Sequence, residues 1–260
     1  MNPAPPLPAA SSRPPTLTAA LWLLLFYFLL QAVLGALAAF ALGLWLGTHG
    51  ADARAVTAML ARPDARAALV MLVLGSAAII TLCLVRRHWP RLWSLASPPG
   101  LGVTPPARWR FYPLALVLGL AAPVLGGWLT QWLAHGHAVP QDIQRVGAEA
   151  AVPLRVALMA VVVTVGPLVE EVLFRGVLLS ALLRRLRTGW AVAACSLLFA
   201  LVHLPDLDFL WYAVPDLALL AAMLAWLRLR SGSIWPAVLA HGANNLMAMA
   251  AWWVAVTPPG

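Results

Sequence analysis

Lysine is absent from this 260-residue sequence, glutamate occurs only three times and cysteine twice. Charged residues make up 10% of the chain, whereas a soluble domain carries about 25%. Hydrophobic residues reach 62% and the mean hydropathy is +0.86. So few charges cannot cover the surface of a water-soluble protein this long, which excludes a soluble one- or two-domain enzyme. All seventeen basic residues are arginines, and they give a net charge of +8. They stand between apolar runs rather than in one patch, so the basicity reads as membrane topology and a nucleic-acid partner is excluded. Cys83 and Cys195 lie inside apolar stretches and form neither a disulfide framework nor a CxxC metal motif. Both are expected to be small buried hydrophobes.

What the sequence does have is long apolar runs. A spanning helix needs about 20 mostly apolar residues, and seven candidate spans follow: 19–47, 67–85, 111–134, 154–183, 190–204, 209–227 and 234–256. The first exceeds the apolar core of a secretory signal and reads as a transmembrane helix. The fifth is short for a full crossing, and Gly166-Pro167 should kink or break the fourth. The fold class is therefore all-α, a polytopic transmembrane helical bundle of about seven spans (6–8). Residues 1–18, rich in Pro and Ser, are expected to be a disordered tail. Arginines crowd 86–110, 184–189 and 228–232, which the positive-inside rule places in the cytoplasm. Between them, 135–153 carries only Arg145 and 205–208 carries none. The alternation gives a multi-pass protein of the cell (inner) membrane with a cytoplasmic N-terminus. Arg54, Arg62 and Arg66 in the connection 48–66 dissent from that pattern.

Ionisable groups at membrane depth are costly and mark function. Two of the three glutamates are adjacent in the fourth run, where Glu170 and Glu171 are followed by Arg175. Glu171 and Arg175 are i,i+4 neighbours and read as an intrahelical ion pair, which leaves Glu170 free for another helix. His203 follows Phe199 by four residues, so the ring can pack over the imidazole. His241 and Asn245 share one face of the last run, with Asn244 on a neighbouring face. Each alone also has a structural reading: a buried charge cluster for Glu170, Glu171 and Arg175, a packing residue for His203, and an interhelical hydrogen-bond pair for His241 with Asn245. Together, a carboxylate, two imidazoles and an amide from three apolar segments make a water-activating constellation.

These stretches resemble the CPBP family of intramembrane proteases, which includes the type II CAAX prenyl endopeptidases and the bacteriocin-processing or immunity (Abi) proteins. Its EExxxR motif reads Glu170-Glu171-Val172-Leu173-Phe174-Arg175, its FxxxH motif Phe199-Ala200-Leu201-Val202-His203, and its HxxxN motif His241-Gly242-Ala243-Asn244-Asn245. The resemblance implies an intramembrane endopeptidase with Glu170, His203, His241 and Asn245 as the catalytic residues and Glu171 and Arg175 in support. It divides the chain into N-terminal transmembrane helices over 19–153 and a CPBP-like catalytic core over 154–256.

The family has been described both as metalloproteases and as metal-free glutamate proteases, and two chemistries follow. Glu170, His203 and His241 are a zinc-type donor set with water in the fourth position. In the metal-free version, Glu170 with His203 activates the water, while His241 and Asn245 donate to the tetrahedral oxyanion. The metal-free version is favoured, because HExxH is absent and Asn is a poor zinc ligand, so no cofactor is expected; a divalent metal such as zinc is the alternative. The partners implied are the lipid bilayer and a peptide or membrane-protein substrate. Two other readings compete: a non-catalytic immunity-type membrane scaffold, and a proton-coupled transporter relaying protons through Glu170 and the histidines.

Overall fold

A computed structural model of the chain describes residues 13–135, 137, 146–147 and 149–254. Among the described residues there are helices and no strands. The expected disordered tail lies outside them as far as residue 12, and so do Arg145 and residues 255–256. Residues 14 and 15 are held in place: the carbonyls of Pro14 and Pro15 accept from Arg184, at 3.5 and 3.2 Å. Thr16 then caps the first helix by accepting from the Ala19 N–H.

Eight helices are described: α1 (Leu17–Thr48), α2 (Ala53–Ala61), α3 (Pro63–His88), α4 (Phe111–Ala134), α5 (Val152–Leu183), α6 (Thr188–Val202), α7 (Val214–Ser231) and α8 (Trp235–Val254). α1, α3, α4, α5 and α7 with its preceding turn are long and apolar enough to cross a membrane. The two other expected spans are α6 and α8. With fifteen residues α6 reaches about 22 Å at 1.5 Å per residue, short of a hydrocarbon core of about 30 Å. α8 has the length, but His241, Asn244 and Asn245 dilute its apolar character. α2 was not expected as a helix: Asp52 caps it by accepting from the Ala55 N–H at 2.8 Å, and no residue of it is buried.

α5 is the central element, packed by α1, α3 and α8. Pro167 does not break it, and the helix runs on through Gly166 and Pro167, both buried. Proline removes the N–H that the Val163 carbonyl would otherwise accept. Gly242 of α8 packs onto that same carbonyl, where a Cβ would collide with it. On the other side of α8, a Cβ on Gly119 of α4 would collide with the Ala240 backbone. Two glycines on two different helices thus let α8 approach both neighbours, with His241 between the contacts.

Beyond Glu171 the winding of α5 changes. Val172–Leu178 is π-helical and wholly buried, a local widening often found at functional sites. The Phe174 carbonyl there accepts from the Leu179 N–H and from the Cys195 thiol, at 3.4 Å for the latter. Cys195 is buried as expected; Cys83 is not, and lies exposed among the outward-facing apolar residues of α3. Alternation of spacing puts Cys83 on the face of α3 away from Ala77, Ala78, Thr81 and Val85, which are the residues buried against the bundle.

Candidate active site

Five of the six polar residues singled out in the sequence come together where α5, α6 and α8 meet. Glu171 and Arg175 form the ion pair that their spacing implied, with Arg175 Nη1 donating to Glu171 Oε1 at 2.9 Å. Both are buried, at 0% and 1% exposure. Two further contacts hold the arginine, although its Nε is buried without a partner. Its Nη2 donates to the Ala221 carbonyl of α7 at 3.0 Å, and its guanidinium stands over the Phe199 ring, 4.5 Å from the centroid. Glu171 Oε1 also accepts from His241 Nδ1 at 3.0 Å. The pair inside α5 therefore reaches α6, α7 and α8 at once.

Glu170 is the more open carboxylate, and its Oε2 faces both imidazoles. His203 Nε2 is 3.7 Å away and His241 Nε2 3.8 Å. The tautomers follow from the other ring nitrogens. His203 Nδ1 lies 2.7 Å from the Phe199 carbonyl, which can only accept, so Nδ1 carries the proton. His241 Nδ1 donates to Glu171 in the same way. Each Nε2 is thereby turned toward Glu170. Glu170 and His203 keep side-chain exposures of 19% and 25%, whereas His241 keeps only 6%. The half-open pair is the most exposed part of the cluster, although Glu170 Oε2 itself is buried.

Phe199 organises the cluster. Its ring stacks at a tilt on His203, centroids 4.5 Å apart, and meets His241 and Phe174 edge-on at 5.7 and 5.0 Å. The sequence pointed to the first of these contacts through the i,i+4 spacing. The contacts with Arg175, Phe174 and His241 cross between helices and leave no signature in the spacing.

Asn245 is placed elsewhere. Its Nδ2 donates to the Val162 carbonyl at 3.0 Å, and its Oδ1 accepts from Asn244 at 3.3 Å. Val162 precedes Glu170 by eight residues, about 12 Å along the helix. The amide thus ties α8 to α5 instead of making a hydrogen bond within the glutamate–histidine cluster.

The donor types of Glu170, His203 and His241 suit zinc, and as placed they stand a few tenths of an ångström wide of a zinc set. With bonds of about 2.0–2.1 Å, donors at tetrahedral angles stand roughly 3.4 Å apart, less than the 3.7 and 3.8 Å found here. Among the described residues no group of three or more His, Cys, Asp or Glu side chains could hold a metal ion.

Residues 152–247 match the family model described as type II CAAX prenyl endopeptidase Rce1-like. The chain carries an Rce1-like domain. The match runs from the start of α5 into α8 and contains all six motif residues. The family so described is one of CAAX prenyl endopeptidases, and the likeness of this chain to it extends over residues 152–247. No match is found among curated proteins or among solved structures.

Proposed function

We propose that the Rce1-like domain hydrolyses a peptide bond of a membrane-associated substrate with a water activated by Glu170, without a metal ion. The observation that carries this reading is the convergence of Glu170 Oε2 with two Nε2 atoms delivered by two other helices. A water held by Glu170 and His203 gives its proton to the carboxylate as its oxygen adds to the peptide carbonyl. His241, its Nδ1–H on Glu171, is oriented with Nε2 toward the developing oxyanion, and as an imidazolium it donates there. The Glu171 carboxylate holds the ring in that orientation, and Arg175 holds Glu171 in place. On collapse the proton passes from Glu170 to the leaving amine. Asn245, with its amide on Val162, holds α8 at the depth that brings His241 to the site.

The topology proposed with it puts the N-terminus in the cytoplasm. Arg184 holds Pro14 and Pro15, so the start of α1 lies at the same end of the bundle as the arginine-rich turn 184–187. Asp64 accepts from the Ala151 N–H at 2.7 Å, which gathers the starts of α3 and α5 at the other end. The substrate class proposed is a peptide or membrane-protein tail.

The test uses the full chain in liposomes with a farnesylated, quenched-fluorescent CAAX peptide. Glu170→Gln should abolish turnover while folded yield stays at the wild-type level, because the shape is kept and the base removed. Extended chelation should leave wild-type turnover intact. Normal turnover by folded Glu170→Gln would sink the base assignment. One zinc per active chain, with activity lost and regained on its removal and return, would reject the metal-free route.

A further inference from the structure

The two ends of the bundle differ in how they close on the cluster around Phe199. At the arginine-rich end, the connection between α3 and α4 is folded in as a plug. Leu101 is fully buried, and its carbonyl and Cβ lie 3.3 and 3.5 Å from where a Cβ on Gly176 would stand, in the π-helical turn of α5. The neighbouring Gly100 carbonyl accepts from Ser180 of α5 at 3.4 Å and from Arg228 of α7 at 2.7 Å. The Gly102 carbonyl accepts from the Ile234 N–H at the head of α8, at 2.9 Å. One short stretch of backbone thus ties three helices together beneath the site. The turns of α5 and α7 between plug and site carry Val177, Leu178, Leu224 and Ala225, all apolar and no more than 1% exposed.

Away from the arginines the arrangement is reversed. α6 packs along α7 and meets α5 at its π-helical turn. It stops at Val202, so His203 stands at a helix end. α5 continues past Glu170 for eighteen residues, back to Val152, a length of about 27 Å. Polar side chains follow on that side. Asp206 and Asp208 in the connection after α6 are exposed, and Asn244 and Asn245 of α8, beyond His241, are half-buried. Glu170 and His203 are themselves the most exposed members of the cluster.

A peptide carries an N–H and a C=O at every residue, and a dry apolar passage would strip both of their hydrogen bonds. A polar, partly exposed wall can keep them satisfied. We propose that the scissile bond reaches Glu170 and His203 from the end of the bundle opposite the arginine-rich turns. With those turns in the cytoplasm, the segment that is cut is extracytoplasmic: the tail of an exported peptide, or of a membrane protein, on the outer side of the membrane. A cytoplasmic C-terminus would meet the plugged end instead. The proposal rests on the hydrolytic reading and on the topology given with it.

The test uses the full chain in right-side-out and inverted membrane vesicles of expressing cells. Trp211→Cys, at a position 64% exposed, marks the end beyond His203, and Ser94→Cys, also at an exposed position, marks the plugged end. Leu204→Cys, one residue past His203, reads access to the site, and Cys83 is replaced by Ser throughout. A charged maleimide that cannot cross the bilayer should label Trp211→Cys and Leu204→Cys in right-side-out vesicles and Ser94→Cys in inverted ones. The farnesylated quenched peptide, given a sulfonated fluorophore so that it stays outside, should be cleaved by right-side-out vesicles, with loss of turnover to background in inverted ones. Turnover in inverted vesicles, or labelling of Leu204→Cys from the side that labels Ser94→Cys, would overturn the proposal. Labelling of Ser94→Cys in right-side-out vesicles would overturn the extracytoplasmic substrate. Glu170→Gln separates the two claims: an active Glu170→Gln rejects the hydrolytic reading, whereas a silent one beside wild-type turnover in inverted vesicles rejects the proposed side alone.

Discussion

Arg175 and Arg228 are both fully buried, at 1% and 0% exposure, yet their charges are met in different ways. Arg175 faces a carboxylate on its own helix, an aromatic ring on α6 and a carbonyl on α7. Arg228 meets backbone alone: its Nη1 and Nη2 donate to the Ala96 and Gly100 carbonyls at 2.7 Å each, while its Nε is buried without a partner. It also lies in the last turn of α7, where the helix dipole favours a cation. Gly102, at φ +75°, keeps room for the guanidinium, since a Cβ there would collide with it. The Gly102 carbonyl then accepts from the Ile234 N–H at the head of α8, at 2.9 Å. Where a buried charge has only to clip a loop, oriented carbonyls suffice. Where it must also orient an ionisable group on another helix, as Glu171 does for His241, a carboxylate is required.

The largest expected effect is at the ion pair. Glu171→Gln leaves Arg175 buried without its counter-charge and should cost about 3–5 kcal/mol of stability, read as lower folded yield and unfolding temperature in detergent. The double variant Glu171→Gln with Arg175→Met should recover much of that stability, because no lone charge remains. Its turnover should stay low, because His241 has lost its carboxylate. Restored turnover in the double variant would reduce Glu171 to a structural partner and erase the contrast with Arg228.

Arg228→Met should have a smaller effect, of one kind only. Losing its charge-assisted hydrogen bonds should cost roughly 1.5–3 kcal/mol, seen as a lower unfolding temperature, while turnover per folded molecule stays at the wild-type value. A fall in kcat in well-folded Arg228→Met would show that the loop clip reaches the site.

Asn245→Ala should have the smallest effect. One interhelical hydrogen bond in a membrane bundle is worth about 0.6 kcal/mol on average and about 1.7 at most, and turnover should drop far less than the roughly 10²–10³ expected for an oxyanion donor. A loss of that larger size, with stability unchanged, would return Asn245 to the oxyanion and leave its bond to Val162 without a catalytic consequence.

The sequence by itself determined the medium, the helices and which polar groups sit at membrane depth. The scarcity of charge demanded lipid, and the apolar runs located α1 and α3 through α8 to within a few residues. Spacing inside one helix was enough for Glu171 with Arg175 and for Phe199 with His203, because 3.6 residues per turn fix where side chains point about their own axis. Tertiary structure alone decided which carboxylate meets which imidazole. The approach of His241 to Glu171 depends on the depth and rotation of α8, which are set by Gly119 against Ala240 and Gly242 against Val163. The π-helical turn after Glu171, the seat of Arg175 on Phe199 and the bond from Asn245 to Val162 have the same origin. Each depends on how one helix is set against another, and periodicity along a single helix carries no record of its neighbour's rotation.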